Sequence, residues 1–379
     1  MSSDTSLSVL PGAHHARGSR AGAWRWTLGL CGVLIAAYPF LPGGAQTALY
    51  HLIGLVAVAG IVAGVRLHRL PRPLPWLLLA AGQFAFVLGD GLWDAYDLIL
   101  GTAPSPSPAD VLYLAGYPLL AAGLALLGRR RSADSGSAGL IDAAIVTIGA
   151  AVVSWVFLIA PFAGDASLHD AERIVAIAYP VGDLLLLAMT ARLFLEPGTP
   201  SRAHRLFGLG LLAVLVADVL YAALTLAGSS AIPQRFLDTG WLAGYALIGG
   251  AVLDPTIRGL SEPAPRRDQL ERGRLWLLAI ASLLAPATLA VQTLTGGEAY
   301  PLFIAITAAA LFGLVVLRMA GLVRRMTPEG ETSSAGVAGW DGAESGEALV
   351  ARTDRALYRA KRSGRDRTVV SGAITAAAA

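Results

Sequence analysis

The sequence DGLWDAYDLILGTAPSPSPADVLYLAGY, at Asp90–Tyr117, returns without a gap as DVLYAALTLAGSSAIPQRFLDTGWLAGY at Asp218–Tyr245. Ten of the 28 aligned pairs are identical, and they include two aspartates and the closing LAGY. Aromatic residues also pair, as Trp93 does with Tyr221. Alanine and leucine give chance identities in such a chain, but they do not reproduce the spacing of aspartates and aromatic residues. The alignment therefore indicates an internal repeat.

The composition is that of a membrane protein. Of the 379 residues, 55% are hydrophobic and 15% are charged, and the mean hydropathy is +0.60. Stretches long enough to cross about 30 Å of hydrocarbon recur along the chain. We predict ten spans, near 26–42, 48–65, 74–97, 110–128, 140–161, 174–195, 206–228, 239–254, 275–294 and 301–322. The predicted fold is an all-α integral membrane protein with a parallel four-helix repeat, because the repeat offset contains four spans and so preserves orientation.

Arginine is unevenly distributed between the loops that join these spans. One set of loops carries nearly all of it, whereas the other set has only Arg173 and Arg235 beside several acidic residues. Because cytoplasmic loops are enriched in arginine and lysine, we predict a multi-pass protein of the cell inner (plasma) membrane with both termini cytoplasmic. This requires an even number of spans. A cleaved secretory signal ending near 43–48 is the alternative for the first span.

Three aspartates fall well inside predicted spans, namely Asp90, Asp183 and Asp218. Insertion of an unpaired carboxylate at the centre of a membrane helix costs about 2.5–3.5 kcal/mol, so such residues usually face the interior of a helix bundle. Tyr179 lies one turn before Asp183, and Tyr221 lies three residues after Asp218, so each pair shares a helix face. One interpretation is a buried polar site for a small ligand, a cation or a proton, formed across the two repeats. The other is that these aspartates only hold the helices together.

Cap signals predict one further helix near the C-terminus. Ser345 is a suitable N-cap and Gly364 a suitable stop for a helix over about 346–363. Its apolar residues recur at helical spacing along one face, and arginines occupy the other face. Short strands are predicted at Val337–Trp340 and Thr368–Val370. The chain is therefore expected to end in a small α/β segment.

This segment resembles the end of a known domain. Ser333–Trp340 reads SSAGVAGW and Leu349–Arg367 reads LVARTDRALYRAKRSGRDR. Both are similar to the closing part of bacterial diguanylate cyclase (GGDEF) domains, in which an SxGVA strand precedes the pattern ADxALYxAKxxGRN. YPVGDLLLLA at 179–188, LVADVLYAAL at 215–224 and AVLDPTIR at 251–258 resemble the multi-span input region of actinobacterial GGDEF proteins. The resemblance implies a membrane protein of cyclic di-GMP signalling.

The resemblance implies a particular division of the chain. A disordered cytoplasmic arm is expected at 1–25, followed by a multi-span, sensor-like membrane domain at 26–322. A linker is expected at 323–332 and a truncated GGDEF-like segment at 333–370. The last residues, 371–379, are expected to be a disordered tail.

Only a remnant of the family's nucleotide site is expected. Lys361 and Arg365 match the family's lysine and arginine that contact phosphate. The GG(D/E)EF turn, the metal-binding aspartates and the first half of the domain have no counterpart. Joining two GTP-derived units requires Mg²⁺ and an aligned hydroxyl. We therefore predict no catalytic residue, no metal site and no cyclase activity, and we expect Mg²⁺ and GTP as cofactors only if a complete cyclase domain were present.

Three functions remain open on this basis. The first is a non-catalytic membrane sensor of the diguanylate cyclase family. The second is a small-solute or ion transporter that uses the midplane aspartates, and the third is an inert remnant. The expected partners are the lipid bilayer, an unknown small ligand, and a full-length GGDEF protein or a second copy of the chain. No nucleic-acid partner is expected, although the isoelectric point is 9.2.

Overall fold

The structure is a computed structural model, and it describes residues 12–102, 104–131, 138–195, 201–261, 272–296, 300–326, 334–340, 342–363 and 368–371. Side chains are described from residue 22 onward, apart from 129–131, 261, 272 and 324–326. The chain divides into two compact units, Met1–Arg318 and Met319–Ala379. Most of the predicted linker and tail, part of the N-terminal arm, and Arg365 lie outside the described residues.

The first unit, here called the membrane unit, is helical. Its long helices are α1 (Gly12–Ala37), α2 (Gly43–Leu67), α3 (Leu74–Leu100), α4 (Pro108–Arg131), α5 (Ala138–Gly164), α6 (Asp170–Phe194), α7 (Arg202–Leu226), α8 (Gln234–Leu253), α9 (Arg272–Thr295) and α10 (Pro301–Met326). The helix α5 contains one π-helical turn at Trp155–Ile159. Within the described residues, the nine helices α2–α10 are long and apolar enough to cross a membrane. The predicted all-α membrane fold is thereby confirmed.

The helix at the first of the ten predicted spans ends earlier than the predicted bound at residue 42. The helix α1 ends at Ala37, and a 3₁₀ turn with Pro39 follows at Tyr38–Phe40. Its apolar part begins only after Arg25, so the helical apolar run is shorter than about 20 residues, the length that a spanning helix needs. The side chains of α1 are described only from residue 22, so the first of the ten spans stays a prediction. Because the predicted sidedness assumes an even number of spans, the cytoplasmic placement of the termini stays a prediction.

Six helices of the membrane unit share one apolar core. Its largest fully buried side chains include Trp76, Leu124 and Phe207. The repeat offset of 128 positions (218 − 90) carries α2, α3 and α4 onto α6, α7 and α8. The helix α3 packs on α4, and α7 packs on α8. The helix α2 packs on α8, and α6 packs on α4, so the first helix of each triplet lies against the last helix of the other.

Glycines bring the helices of each triplet into backbone contact. A Cβ atom placed on Gly82 would lie 3.0 Å from the carbonyl oxygen of Gly116. The same distance, 3.0 Å, separates a Cβ atom on Gly210 from the carbonyl oxygen of Gly244. These two contacts occupy equivalent positions, one between α3 and α4 and the other between α7 and α8. Small residues at such crossings are typical of membrane helices, whose backbones approach closely.

The helices α5, α9 and α10 form a second apolar cluster. Its buried members include Ile145 and Val152 of α5, Leu278 of α9, and Ile304 and Leu311 of α10. This cluster has no counterpart in the repeat. The last hairpin, α9 and α10, is thus held to the rest of the membrane unit mainly through α5.

The second unit contains the predicted α/β segment. A strand at Ala335–Ala338 (β1) pairs in parallel with a strand at Thr368–Ser371 (β2), and the helix α11 at Gly346–Arg362 lies between them in sequence. The Ser345 hydroxyl caps α11 by accepting a hydrogen bond from the Ala348 amide. The helix lies close to β1, because a Cβ atom on Gly336 would collide with the backbone of α11.

Candidate functional site

The three predicted intramembrane aspartates come together in the six-helix core. Asp90 lies on α3, Asp183 on α6 and Asp218 on α7. The carboxyl groups of Asp183 and Asp218 are hydrogen-bonded to each other. An ionised carboxylate only accepts hydrogen bonds, so this contact requires that one of the two carboxyls carries a proton. Asp90 is close enough to interact electrostatically with Asp218. The structure therefore unites residues from both repeats at one place.

An aromatic donor serves an aspartate at equivalent positions of the two repeats. The hydroxyl group of Tyr113 donates to Asp90 Oδ1 over 2.8 Å. The indole nitrogen of Trp241 donates to Asp218 Oδ1 over 2.7 Å. In both pairs the donor follows the acceptor by 23 positions. The same contact is thus formed twice, once with a tyrosine and once with a tryptophan.

The two tyrosines predicted beside these aspartates have other contacts. The hydroxyl group of Tyr179 donates to Asp110 Oδ1 over 2.5 Å, and Asp183 instead accepts from Tyr117 over 2.9 Å. Tyr221 is 44% exposed, and its ring contacts that of Trp241 at 5.8 Å between centroids. Tyr179 therefore belongs to the polar group through Asp110, whereas Tyr221 only lies at its edge.

Prolines directly follow two of these tyrosines. Pro118 follows Tyr117 within α4, and Pro180 follows Tyr179 within α6. Proline has no N–H group, so the carbonyl four residues earlier has no helical donor. Both helices continue through the proline, as membrane helices often do when neighbours supply compensating contacts. At the depth of the aspartates, two helices therefore each contain a backbone carbonyl that lacks its helical hydrogen bond.

Further acidic contacts continue toward one end of the membrane unit, where α3 ends and α4 and α8 begin. The hydroxyl group of Tyr38 donates to Asp238 Oδ2 over 2.7 Å. His51 Nε2 and Asp94 Oδ2 are 2.7 Å apart, and the Asp94 side chain is 40% exposed. We call the following residues the aspartate network: Asp90, Asp94, Asp110, Asp183, Asp218 and Asp238. Among the described residues, the basic side chain that is hydrogen-bonded to the aspartate network is His51.

A small cavity lies on the inner side of this network, away from that end. It is lined by Phe86, Leu186 and Leu215, which lie about one turn inward from Asp90, Asp183 and Asp218, respectively. Its volume of about 20 Å³ is sufficient for a single water molecule. The cavity therefore adjoins the place where the three aspartates meet.

Two polar side chains with unpaired atoms line this cavity. Gln83 is 2% exposed, and neither its amide oxygen nor its amide nitrogen has a hydrogen-bond partner. The hydroxyl oxygen of Thr190 is also buried and unpaired. Gln83 lies two turns inward from Asp90 on α3, about 10 Å along the helix axis. Buried polar groups without a partner are uncommon, and an ordered water is a frequent explanation.

Sequence reasoning missed the hydrogen-bond donors of the site. Tyr113, Tyr117 and Trp241 lie in or beside the repeated LAGY motif, and Asp110 is one of the identical repeat pairs. The repeat was therefore the signal that could have identified them. Periodicity along one helix could not, because each donor lies on a different helix from its acceptor.

A buried ionic cluster was also missed. The Asp142 carboxylate on α5 is fully buried and accepts from Arg274 Nε over 2.6 Å and from Arg318 Nε over 2.7 Å. Arg274 lies on α9 and Arg318 on α10. Both arginines lie near predicted span ends and so counted among the loop charges that predict sidedness, and the structure places them beside the second apolar cluster. One aspartate thereby joins the three helices of that cluster.

A second ion pair lies just beyond the end of α8. The buried Asp254 accepts from Arg202 Nε over 2.5 Å and from the amide and hydroxyl groups of Thr256, each over 2.8 Å. Burial raises the pKa of Asp254, but the hydrogen bonds from Arg202 and Thr256 outweigh it and leave the pKa below its ordinary value. This pair fixes the start of α7 against the end of α8.

The phosphate-contact remnant is only partly visible. Lys361 is exposed on α11, beside a shallow surface depression that is also lined by Arg355 and Tyr358. Arg365 lies outside the described residues, so its relation to Lys361 stays a prediction. In the part of the chain that the structure describes, no group of three His, Cys, Asp or Glu side chains is arranged to hold a metal ion.

Comparison with known proteins adds one partial similarity. No family model matches the chain, and no solved structure matches it. A curated protein, the diguanylate cyclase DgcP of Pseudomonas aeruginosa, is 58% identical over 40 residues, which are 11% of this chain and 6% of that protein. The chain thus spans only a small fraction of the curated relative that it matches. Geometry and comparison together define a helical protein of membrane type with a short stretch similar to a diguanylate cyclase.

Proposed function

We propose that the protein is a membrane-embedded signalling protein of the diguanylate cyclase, or cyclic di-GMP, family. The observation that carries this proposal is the 58% identity over 40 residues to a diguanylate cyclase. We infer that the matching stretch lies in 333–370, because that segment contains the motifs SSAGVAGW and LVARTDRALYRAKRSGRDR. The coarse assignment to cyclic di-GMP signalling follows from this similarity.

We propose that this chain does not itself synthesise cyclic di-GMP. Beyond the end of α10, the described part of the second unit comprises two four-residue strands and one helix. Condensing two GTP molecules requires Mg²⁺ to neutralise phosphate charge and a surface that aligns the attacking hydroxyl. Lys361 and Arg365 provide cationic groups for phosphate but no carboxylate for a metal ion. Mg²⁺ and GTP are therefore proposed as ligands of a complete partner domain and not of this one.

The proposed input is the aspartate network of the membrane unit. A polar group in hydrocarbon is costly to keep, so its presence in the core favours a binding or sensing role. The proposed partners are the lipid bilayer, a small ligand at the network, and a full-length GGDEF protein or a second copy of this chain. The loop arginines support an inner-membrane location with both ends in the cytoplasm.

The proposal is tested by measuring cyclic di-GMP in cells that express the chain alone or together with a full-length membrane GGDEF protein. We expect a change only when the full-length protein is present. Asp218→Asn should reduce that change, whereas Asp97→Asn, an exposed position on α3, should leave it intact. An unchanged level with the partner contradicts a signalling role, and Mg²⁺-dependent synthesis by the purified chain contradicts the loss of catalysis.

A second candidate function is transport of a small solute or an ion. The contact between Asp183 and Asp218 favours it, because paired carboxyls inside a membrane commonly mark ion and proton pathways. Uptake of a labelled solute or ion by proteoliposomes that contain the purified chain would support transport. The same vesicles with Asp183→Asn should then show no uptake.

A further inference from the structure

We propose that the outer face of α11 docks the second unit onto the surface of the membrane, with the anionic headgroups of phospholipids as its ligand. We call this surface the basic face, and its exposed members are Arg355, Tyr358, Arg359, Lys361 and Arg362. The proposed function includes the bilayer only as the medium of the spanning helices. The docking goes beyond that function and does not depend on it.

The helix α11 has two different faces. Ala356 and Ala360 are fully buried, and a Cβ atom on Gly336 of β1 would collide with the backbone of Leu357. These contacts lie on the side of the helix that packs on the two strands. The cationic side chains of the last two turns are instead exposed. The fold of the second unit therefore uses one face of α11 and leaves the basic face without a covering element.

The charge of the basic face is not used by the fold. Another arginine of the helix, Arg352, donates to two backbone carbonyl oxygens and forms an ion pair with Glu344. Among the described residues, no carboxylate forms an ion pair with the four cations of the basic face. Arg362 lies over the ring of Tyr358, at 5.9 Å from its centroid. The basic face therefore carries positive charge that no described acid neutralises.

The covalent connection keeps the second unit near a lipid surface. The helix α10 is long and apolar enough to span a membrane over Pro301–Val323, and it ends at Met326. The next described residue is Ser334, eight positions later (334 − 326). Eight residues span at most about 29 Å even when the chain is fully extended. Such a short connection gives the basic face a high effective concentration at the bilayer, so weak individual contacts are sufficient for docking.

Charge and composition both favour a lipid surface as the partner. Anionic lipids give the cytoplasmic leaflet a negative potential, which attracts basic segments that follow a spanning helix. The loop arginines predict that α10 ends on this side of the membrane. Tyr358 is 62% exposed at the centre of the basic face, and tyrosine is enriched at membrane–water interfaces. A soluble anion would contact the cations alone, whereas a bilayer also contacts the exposed ring.

Fluorescence of a dye attached to the purified full-length chain in lipid nanodiscs tests the docking. The sequence has one cysteine, so Cys31→Ser allows Ala351→Cys to place an environment-sensitive dye two turns before Tyr358. Val337→Cys is the matched control, because Val337 lies on the sheet face opposite to α11. With phosphatidylglycerol in the nanodisc, we expect the dye at residue 351 to shift to the blue and to be shielded from acrylamide. The dye at residue 337 should not respond, and phosphatidylcholine alone should affect neither.

Charge variants measure the contribution of the basic face. A basic side chain near an anionic surface contributes about fivefold to binding. Arg359→Gln should therefore lower the ratio of docked to free second unit about fivefold, and Asp354→Asn, on the same side of the helix, should raise it. Glutamine at all four cationic positions should abolish the response to phosphatidylglycerol, as should screening by about 1 M salt. Lysine in place of the three arginines should preserve it, because a charged surface does not require a guanidinium group.

Equal signals from the dye at residue 351 in neutral and anionic nanodiscs would overturn the proposal. Loss of the response in the lysine variant, or its displacement by inorganic phosphate at constant ionic strength, would assign the basic face to a soluble anion. A response that requires two chains in one nanodisc would assign it to a second copy. If the glutamine variant does not fold, the opposite effects of Arg359→Gln and Asp354→Asn still decide the question. These measurements involve no cyclase, so they are independent of the cellular assay.

Discussion

Gly64 lies where α2 meets α8, and there is no room for a side chain at this position. A Cβ atom on Gly64 would collide with the backbone carbonyl of Val252. Backbone cannot move aside as a flexible side chain can, so the two helices would have to separate. By contrast, a Cβ atom on Gly44, in the first turn of the same helix, meets no atom within 4 Å.

We therefore expect Gly64→Ala to lower the free energy of unfolding by about 1–3 kcal/mol, the usual cost of overpacking. Gly44→Ala is the matched control, and it should be neutral or slightly stabilising because alanine favours helix over glycine by up to about 1 kcal/mol. Thermal unfolding in detergent measures both. Equal unfolding temperatures for the two variants would mean that α2 and α8 are not in backbone contact.

Asp254 makes a contribution to stability that depends on pH. Its pKa is lowered by hydrogen bonds from Arg202 and Thr256, in spite of burial. A carboxyl with a lowered folded pKa stabilises the protein above its unfolded pKa of about 3.9, and this contribution is lost as the pH falls through the folded value. Wild type should therefore unfold at a higher temperature than Asp254→Asn at pH 7, and the difference should shrink below about pH 4. Asp170→Asn, at a position whose side chain is 94% exposed, should show no such difference.

A single buried carboxylate adds an ionic link between the last hairpin and α5. Asp142 of α5 binds Arg274 of α9 and Arg318 of α10 inside an apolar cluster. Removal of the carboxylate would leave two guanidinium groups without their anion in a medium of low dielectric. Breaking a buried pair in this way is far more costly than replacing all of its members by apolar residues.

We expect Asp142→Ala to destabilise the protein by about 3–5 kcal/mol. The triple variant Asp142→Leu, Arg274→Met, Arg318→Leu should recover most of that loss, because no charge then remains buried. Asp170→Ala breaks an exposed pair with Arg173 and should cost less than about 1 kcal/mol. Thermal unfolding distinguishes these cases, and a triple variant no more stable than Asp142→Ala would show that unpaired buried charge is not the cause of the loss in the single variant.

The same helices show which features of the fold and the site could be predicted from the sequence. Hydropathy was sufficient for α2–α10, and the repeat predicted that Asp90 and Asp218 would be equivalent. The predicted end of the first span, at residue 42, lies beyond the end of α1, because hydropathy does not register that Pro39 and Pro42 follow a helix that has already ended. Asp142 and its arginines were missed for another reason. An arginine near a helix end looks the same in sequence whether it points to solvent or into the bundle, and only the packing of α5, α9 and α10 decides this.

The buried apolar clusters that the structure describes in the membrane unit consist of that unit's own residues. All four of its buried apolar clusters lie between Cys31 and Leu311. A chain that ends after Met326 should therefore unfold within about 1 kcal/mol of the full chain. A chain that ends before Arg272 lacks α9 and α10 and should be clearly less stable, because Asp142 then has no partner. Equal losses in the two truncated chains would indicate that the second unit also supports the membrane unit.

The crossed packing of α2 on α8 and of α6 on α4 has a consequence for synthesis. The helix α2 is translated long before α8. It therefore enters the bilayer before the helix against which its glycines pack has been synthesised. Until translation has passed Leu253, the early helices are surrounded by lipid, and Asp90 lacks its neighbours from the second repeat. Completion of the core is thus a late event, and a nascent chain that stalls before α8 presents an unfinished bundle to the quality-control proteases of the membrane.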